Sequence, residues 1–178
     1  MFNRLRLTLS RRNKIMATLL IILGLGFALP EPRLIPVVGA SPADWNPKSF
    51  WFEPWGKSGV HKGIDIFGKK GTPIVSTTHG LVIFSGNLER GGKVVLLLGP
   101  SWRFHYYAHL NSIETRPLRF VSAGEPIATL GDTGNAQGKA PHLHYSIVRI
   151  IPLPWLIDTS TQGYKKALYV DPGQYLSD

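Results

Sequence analysis

The sequence predicts a mainly β, antiparallel fold in a single domain, and three observations predict it. Gly 19 and Pro 14 are both abundant among the 178 residues, which indicates many turns. The apolar runs in the body of the chain are short and rich in Val, Ile and Tyr, as β-strands are. No window there is long enough for a sizeable amphipathic helix, and a chain of this length suits one domain.

The charge distribution argues against a nucleic-acid-binding protein. The formal net charge is +9, but residues 1–40 hold six of the twenty Lys and Arg and one of the eleven acids. The remaining 14 basic and 10 acidic residues leave a charge of +4, with no basic stripe interleaved with aromatics. Cysteine is absent, so any metal must be held by His and carboxylates.

Residues 1–40 are predicted to be a signal peptide or a membrane anchor. Five cations up to Lys14 precede an uncharged, apolar run over residues 15–29, which is the arrangement of an export signal. This run is short for a membrane span, which needs roughly twenty residues, and Val38 and Ala40 form a plausible cleavage site. Both alternatives stay open, and both place the rest of the chain outside the cytoplasm.

Residues 41–59, rich in Pro and aromatics, are predicted to be a linker along the domain edge, and residues 60–178 to form the domain. The predicted strands are Thr72–Ser76, Gly80–Ser85, Lys93–Leu98, Trp102–His109, Glu125–Leu130 and His142–Arg149. Residues 90–92 (Arg-Gly-Gly) are typical of a hairpin turn. The similar stretches GTPIV at 71–75 and GEPIA at 124–128 each place Pro at a strand start, and indicate two related hairpins.

The first candidate functional motif is His142-Leu143-His144. Residues two apart in a strand face the same side, roughly 6.6 Å from each other. Both imidazoles can therefore reach one metal site, while Leu143 points into the core.

The second candidate motif is His61-Lys62-Gly63-Ile64-Asp65. A fully extended strand would separate His61 and Asp65 by about 13 Å, too far to share an ion, but Gly63 permits a bend. His61, Asp65 and one histidine of the His142/His144 pair would supply two imidazoles and one carboxylate. This set, with a fourth position left for water, is typical of a catalytic zinc site. The alternative is a surface His followed by a turn Asp.

The remaining histidines carry weaker signals. His109 ends the aromatic strand segment YYAHL, which alone does not decide between a functional and a half-buried structural residue. His105 shares the face of His109 if the strand is regular. We predict that His105 and His79 are structural or solvent-facing.

Three segments together resemble a known family. HKGIDI, YYAHL and GDTGNAQGKAPHLHY, in this order in a Gly-rich β-domain, are similar to the lysostaphin-type (LytM-like) zinc endopeptidases of peptidoglycan, over about Val60 to Arg149. The resemblance implies a duplicated hybrid β motif with a narrow groove, Zn²⁺ as cofactor and peptidoglycan peptides as substrate. Together with the basic head and apolar run of residues 1–40, it predicts a place in the cell envelope, either periplasmic or secreted, or attached to the inner membrane through residues 15–29.

The resemblance also implies site residues. The family's zinc ligands correspond to His61, Asp65 and His144. The pair that handles the proton of water and steadies the tetrahedral intermediate corresponds to His109 and His142.

Three further expectations concern the rim of the groove. Tyr107 is predicted to line it, because Tyr107 lies on the same strand face as His109. The loop at residues 138–141 is longer than the family's usual Gly-Pro junction, and Ser146 stands where an acid is common. These departures affect groove shape and support of the metal ligands.

Three other functions remain as alternatives. A non-catalytic regulator on the same fold would typically lack the metal ligands. A phosphocarrier of similar fold would use facing histidines in the cytoplasm, which an export signal contradicts, and a wall-binding module would bind without cutting. The apolar stretch at residues 150–157 is predicted to pack against the sheet.

Overall fold

The structure is a computed structural model and describes residues 10–177. Its helices are α1 (Arg11–Ala28) and α2 (Pro172–Ser177). Its strands are β1 (Ile64–Phe67), β2 (Pro73–Val75), β3 (Gly80–Leu88), β4 (Gly92–Gly99), β5 (Arg103–Leu110), β6 (Ser112–Ile113), β7 (Phe120–Val121), β8 (Pro126–Thr129), β9 (His142–Arg149) and β10 (Tyr169–Val170). Short 3₁₀ turns lie at Pro42–Asp44, Gly56–Ser58, Pro100–Trp102, Gly134–Ala136, Pro154–Leu156 and Gly163–Ala167.

The strands form two antiparallel sheets, which confirms the predicted mainly β, antiparallel class. The larger sheet has seven strands in the order β1-β9-β5-β4-β3-β7, with β10 also paired to β9. β1 and β10 follow one another along the same edge of β9, because β5 occupies its other edge. The smaller sheet has the order β2-β8-β6. β9, which carries His142 and His144, therefore lies between β1, which carries Asp65, and β5, which carries His109.

Each of the six predicted strands is present, and β9 has its predicted bounds. The hairpin turn lies between β3 and β4, where Leu88 pairs with Gly92. The two similar stretches lie side by side, since β2 and β8 pair antiparallel and Ile74 is opposite Ala128. The strands that the sequence did not predict are β1 and three two-residue strands, which are too short to carry an alternating pattern.

The hydrophobic core lies between the two sheets. Fully buried residues of the larger sheet, such as Ile64 and Leu143, belong to the same cluster as Ile74 and Ile127 of the smaller one. Leu143 has 0% of its surface exposed, as predicted for the residue between His142 and His144. Burying this side of β9 turns its alternate residues toward solvent.

The N-terminal helix α1 contacts the domain near its C-terminal end. Ser10 caps its first turn by accepting from the Asn13 amide at 3.3 Å. The Trp102 indole donates to the Leu23 carbonyl at 2.9 Å, and it covers Gly26 so closely that a Cβ there would collide with the ring. No helix within residues 10–177 has the length and apolar character that crossing a membrane requires. Arg4 and Arg6 of the predicted basic head lie outside the described residues.

Residues 41–59 pack onto the domain and reach its core. Trp45 is buried in the main cluster. The Trp51 amide donates to the His61 carbonyl at 2.7 Å, and the His61 amide donates to the Phe52 carbonyl at 3.0 Å. The segment thus forms a two-way backbone contact with the first candidate ligand.

The expectation that residues 150–157 pack against the sheet is wrong. Ile150, Trp155 and Ile157 are exposed, with Trp155 exposed to 75%. β9 ends at Arg149, and neither Pro152 nor Pro154, which starts a 3₁₀ turn, can continue a ladder of backbone hydrogen bonds. The chain therefore leaves the sheet surface at this point.

Candidate metal centre

The antiparallel pairing of β1 and β9 brings the two candidate motifs together. Asp65 of β1 lies directly opposite His144 of β9, and Phe67 lies opposite His142. On the other side of β9, Ala108 of β5 lies opposite His144. Register alone thus places residues that are about 80 positions apart in the sequence on one face of the sheet.

His61 reaches this face through the predicted bend at Gly63. A Cβ added to Gly63 would lie 2.5 Å from the Ser146 hydroxyl and would also collide with the Tyr145 carbonyl. No side chain fits between the two strands here, so the position requires glycine. The close approach turns the chain back and places His61 over Asp65 instead of about 13 Å away.

Three ligand atoms converge on one point. His61 Nε2 and Asp65 Oδ1 are 3.2 Å apart, His144 Nδ1 and Asp65 Oδ1 are 2.9 Å apart, and the two imidazole nitrogens are 3.0 Å apart. Ligand atoms about 2 Å from one tetrahedral zinc ion would lie roughly 3.3 Å from each other. The group His61, Asp65 and His144 could therefore hold a metal ion.

Hydrogen bonds fix the tautomers of the two imidazoles in this group. His61 Nδ1–H donates to the Ser49 carbonyl at 3.0 Å, which leaves Nε2 as a lone pair facing Asp65. The Ser146 hydroxyl donates to the Lys62 carbonyl at 2.7 Å. Since a hydroxyl has one proton, Ser146 must accept from His144 Nε2–H at 3.0 Å, which leaves Nδ1 as the lone pair. Three electron-pair donors therefore face each other, an arrangement that a cation stabilises.

His142 and His109 flank this group without belonging to it. His142 Nδ1 donates to the Ala140 carbonyl at 2.8 Å, and its Nε2 lies 3.9 Å from Asp65 Oδ2. His109 Nδ1 donates to the Thr133 carbonyl at 2.9 Å. The two ring centroids are 5.0 Å apart. Each imidazole thus keeps a free Nε2, and both rings lie beside the ligand group.

The site combines one stabilised anion, Asp65, with two imidazoles, His109 and His144, whose pKa values are lowered. Burial on its own raises the pKa of the Asp65 carboxyl, but contacts with the His144 and His61 imidazoles outweigh it and hold this pKa well below its usual range. Burial, helped by the neighbouring His144 and His142, lowers the pKa of His109 to about 4. Burial also lowers the pKa of His144. At neutral pH these two imidazoles can accept a proton or bind a metal.

The expectation that Tyr107 lines the groove is wrong. Tyr107 is 0% exposed, and its hydroxyl accepts from the Thr77 amide at 3.0 Å inside the protein. The cause is a bulge: the β4–β5 register shifts between Lys93 and Val95, and His109 has φ 64. The extra residue reverses the alternation, so that His109 faces the same way as Tyr106 instead of Tyr107.

The same bulge separates His105 from His109. His105 is fully buried, and its Nδ1 lies 2.6 Å from the Tyr145 hydroxyl. The His79 Nδ1 accepts from the Ala123 amide at 3.1 Å. Both are structural, as predicted, but the predicted shared face of His105 and His109 is wrong because the strand is not regular.

A cleft of about 930 Å³ opens above the ligand group. One wall is the loop at residues 54–58, a second is the β3–β4 turn at residues 89–91, and a third is the loop at residues 135–140. Trp55 stacks on His61 with centroids 4.0 Å apart and an interplanar angle of 23°. The long loop noted in the sequence contributes Lys139 and Ala140 to the third wall.

Sequence reasoning missed three contributors to the site. Trp55 covers His61, and Tyr106 lines the cleft. The Ser49 carbonyl fixes the His61 tautomer. The Pro and aromatic content of residues 41–59 was the only signal for the first and third. Nothing in the local pattern of β5 signals the bulge that exposes Tyr106.

Comparisons with known proteins agree with this geometry. The model of a family described as Peptidase family M23 matches residues 59–153. Murein hydrolase activator NlpD of Escherichia coli (strain K12) is 36% identical over 105 residues, which cover 58% of this chain and 27% of the relative. L-Ala--D-Glu endopeptidase of Bacillus subtilis (strain 168) is 32% identical over 115 residues, which cover 60% of this chain and 35% of the relative.

A solved structure has a similar fold. The catalytic domain of the antimicrobial peptidase lysostaphin from Staphylococcus simulans matches with a TM-score of 0.55 and 26% identity, over 70% of this chain and 86% of that one. The chain spans only 27% and 35% of the length of the two curated relatives. The similarity therefore concerns the domain that carries the ligand group, and not those proteins as wholes.

Proposed function

This chain belongs to peptidase family M23, and from that membership we propose that it is a zinc-dependent endopeptidase that hydrolyses peptide bonds in peptidoglycan. The observation that carries the proposal is the convergence of His61 Nε2, Asp65 Oδ1 and His144 Nδ1, with the free nitrogens of two further imidazoles beside them. The relatives named as an endopeptidase and as a hydrolase activator both support peptidoglycan as the substrate.

The donor set suits zinc. Two imidazole nitrogens and one carboxylate oxygen form the ligand set of catalytic zinc sites, which keep one position open. Zinc held by His61, Asp65 and His144 would supply Lewis-acid polarisation of a carbonyl and would lower the pKa of water. The Ser49 carbonyl and the Ser146 hydroxyl orient the two imidazoles for this purpose.

His142 and His109 carry the proton transfers in this proposal. Each holds its Nδ1 proton on a backbone carbonyl, so that Nε2 is available to the substrate. One imidazole accepts the proton of the attacking water and returns it to the leaving amine. The other, in its protonated form with a proton taken from solvent, would donate Nε2–H to the oxyanion that develops on the scissile carbonyl.

Residues 1–40 direct export in this proposal, and residues 60–178 act in the cell envelope. The basic head and the apolar run are the basis for it. The intact mass of the protein recovered from the envelope fraction distinguishes a cleaved signal, which leaves the chain some forty residues shorter, from a retained membrane attachment. Recovery of the full chain in the cytoplasm would contradict export.

A second candidate function is a regulator of other wall hydrolases. The similarity to a protein named as a murein hydrolase activator favours it. The complete set of ligand atoms and flanking imidazoles favours hydrolysis instead, because a regulator needs none of them to be oriented.

The test is digestion of purified sacculi by the zinc-loaded full chain, with mass spectrometry of the released muropeptides. We expect new amino and carboxyl termini within wall peptides, loss of the products on chelation, and their return with zinc. A zinc-loaded chain that binds sacculi yet releases nothing would contradict the proposal. Release of products only when a second hydrolase is added would support the regulator.

A further inference from the structure

Three cations surround the cleft, and each comes from a different wall. Lys57 lies on the loop at residues 54–58, Arg90 on the β3–β4 turn, and Lys139 on the loop at residues 135–140. All three are exposed. Glu89 is the one acid among the lining residues of the cleft rim, while Asp65 lies at the floor in the ligand group. The rim is therefore positively charged.

No carboxylate of residues 10–177 forms an ion pair with Lys57, Arg90 or Lys139. Some other surface cations, by contrast, are paired. Lys70 contacts Asp132 at 2.7 Å, and Arg119 contacts Glu125 at 2.5 Å. The rim cations are thus available to charges that the chain itself does not supply.

Two of the rim cations lie next to residues whose carbonyls are hydrogen-bonded to the flanking histidines. The Gly91 carbonyl, next to Arg90, accepts from the His109 amide at 2.8 Å. The Ala140 carbonyl, next to Lys139, accepts from His142 Nδ1 at 2.8 Å. These contacts place the two cations beside the two flanking imidazoles.

Lys57 occupies the third side. It lies two residues after Trp55, whose ring stacks on His61. The three cations therefore line three walls of the cleft that opens above the ligand group.

We propose that the cleft selects peptides that carry free carboxylates on both sides of the scissile bond, as opposed to an uncharged oligoglycine bridge. The inference rests on the proposed function, because it assumes that a peptide bond lies over the ligand group. Cations lining a cleft raise the local concentration of an anionic substrate. Exposed pairs are individually weak, so each cation contributes roughly a 2- to 5-fold preference.

The test compares two peptides of the same sequence, one with two free side carboxylates and one with both amidated. Their dissociation constants are measured by fluorescence anisotropy on the zinc-loaded full chain at an ionic strength of about 50 mM, where screening is weak. Every protein form carries His142→Ala, so that no peptide is consumed during the titration. Labelled pentaglycine is a third probe.

The cleft variant carries Lys57→Met, Arg90→Met and Lys139→Met. Its matched control carries Lys48→Met, Lys69→Met and Arg116→Met. The control residues are exposed cations that do not line the cleft. Both variants replace two lysines and one arginine, so they lose the same net charge.

We expect the chain with an unaltered rim to bind the carboxylate peptide roughly 5- to 20-fold more tightly than the amidated peptide or pentaglycine. The cleft variant should lose this preference, and the control should keep it. Equal affinity for both peptides, or equal losses in the two variants, would overturn the inference. If the carboxylate peptide is preferred but the zinc-loaded chain with His142 intact releases nothing from sacculi, the proposed function is contradicted, while the selection of carboxylate peptides by the cleft still holds.

Discussion

The two faces of strands β5 and β9 carry the same residue types and differ in what surrounds them. On the cleft face lie His109 and His144, and on the interior face lie His105 and Tyr145. His105 Nδ1 is hydrogen-bonded to the Tyr145 hydroxyl, with the two atoms 2.6 Å apart. On the cleft face, each imidazole has one nitrogen bonded to a fixed partner and the other directed at the ligand group or the cleft.

The pKa does not distinguish the two faces, and geometry does. Burial lowers the pKa of His105 to about 3, with Arg103 adding to the effect, and burial lowers the pKa of His109 to about 4. Both imidazoles are neutral at pH 7 for the same reason. What identifies the cleft face as a site is that the lone pairs of several side chains converge there.

The change with the largest expected effect removes a ligand from the cleft face. His61→Ala or Asp65→Ala leaves two protein ligands for the metal, so we expect loss of both zinc and hydrolysis. Zinc content by atomic absorption and peptide release from sacculi measure the two effects. Asp158→Asn, which alters an exposed acid paired with Lys166, is the control and should change neither.

Removing a flanking imidazole should separate metal binding from activity. His142→Ala should keep zinc, because His142 Nε2 does not belong to the ligand group, and should lower hydrolysis by roughly 10²- to 10⁴-fold. If His142→Ala lost zinc and His144→Ala retained it, the assignment of the two histidines would be reversed.

A smaller effect is expected from the hydroxyl behind the ligands. Ser146→Ala removes the acceptor that holds His144 Nε2–H, so zinc should bind about 10- to 100-fold more weakly, as measured by chelator competition. Ser112→Ala removes a hydroxyl on β6 that is hydrogen-bonded to Thr129 of β8, and it should leave zinc affinity unchanged. Equal affinity of Ser146→Ala and the unaltered chain would show that Ser146 does not orient His144.

The last prediction concerns the interior face, where we expect a change in stability and no effect on zinc binding. The pKa of His105 is about 3 in the folded chain, against an ordinary value of 6.5. Between pH 6.5 and pH 3, His105 therefore binds a proton in the unfolded chain and not in the folded chain. The contribution of His105 to the free energy of unfolding is therefore fully present above pH 6.5. It decreases below pH 6.5 by up to about 1.4 kcal/mol per pH unit.

Urea unfolding between pH 7 and pH 4 measures this dependence. His105→Gln, compared with the unaltered chain under chelation, should make this dependence shallower, while the lowered pKa of His109 keeps part of it. An unchanged slope in His105→Gln would show that His105 is not protonated on unfolding in this range.

The residues of the ligand group could be predicted from the sequence better than the residues around them, for physical reasons. The two-residue period of a strand and the freedom of Gly63 are local properties, so the pairing of His142 with His144 and the bend before Asp65 could both be predicted. Leu143 in the core followed from the same period.

The surroundings depend on non-local pairing, which local pattern does not encode. The bulge at His109 arises from the β4–β5 register and made Tyr107 the wrong choice for the cleft. Trp55 and the Ser49 carbonyl reach His61 through backbone contacts that only the folded chain makes. The exposure of Trp155 likewise depends on where the sheet ends.

The most direct test of the central claim is a crystal structure of the zinc-loaded chain with anomalous data at the zinc edge. The account predicts one strong peak per chain, about 2.0–2.2 Å from His61 Nε2, Asp65 Oδ1 and His144 Nδ1, with His142 and His109 outside bonding distance. A peak at any other set of side chains, or a zinc-loaded crystal with no peak among these three atoms, would contradict it.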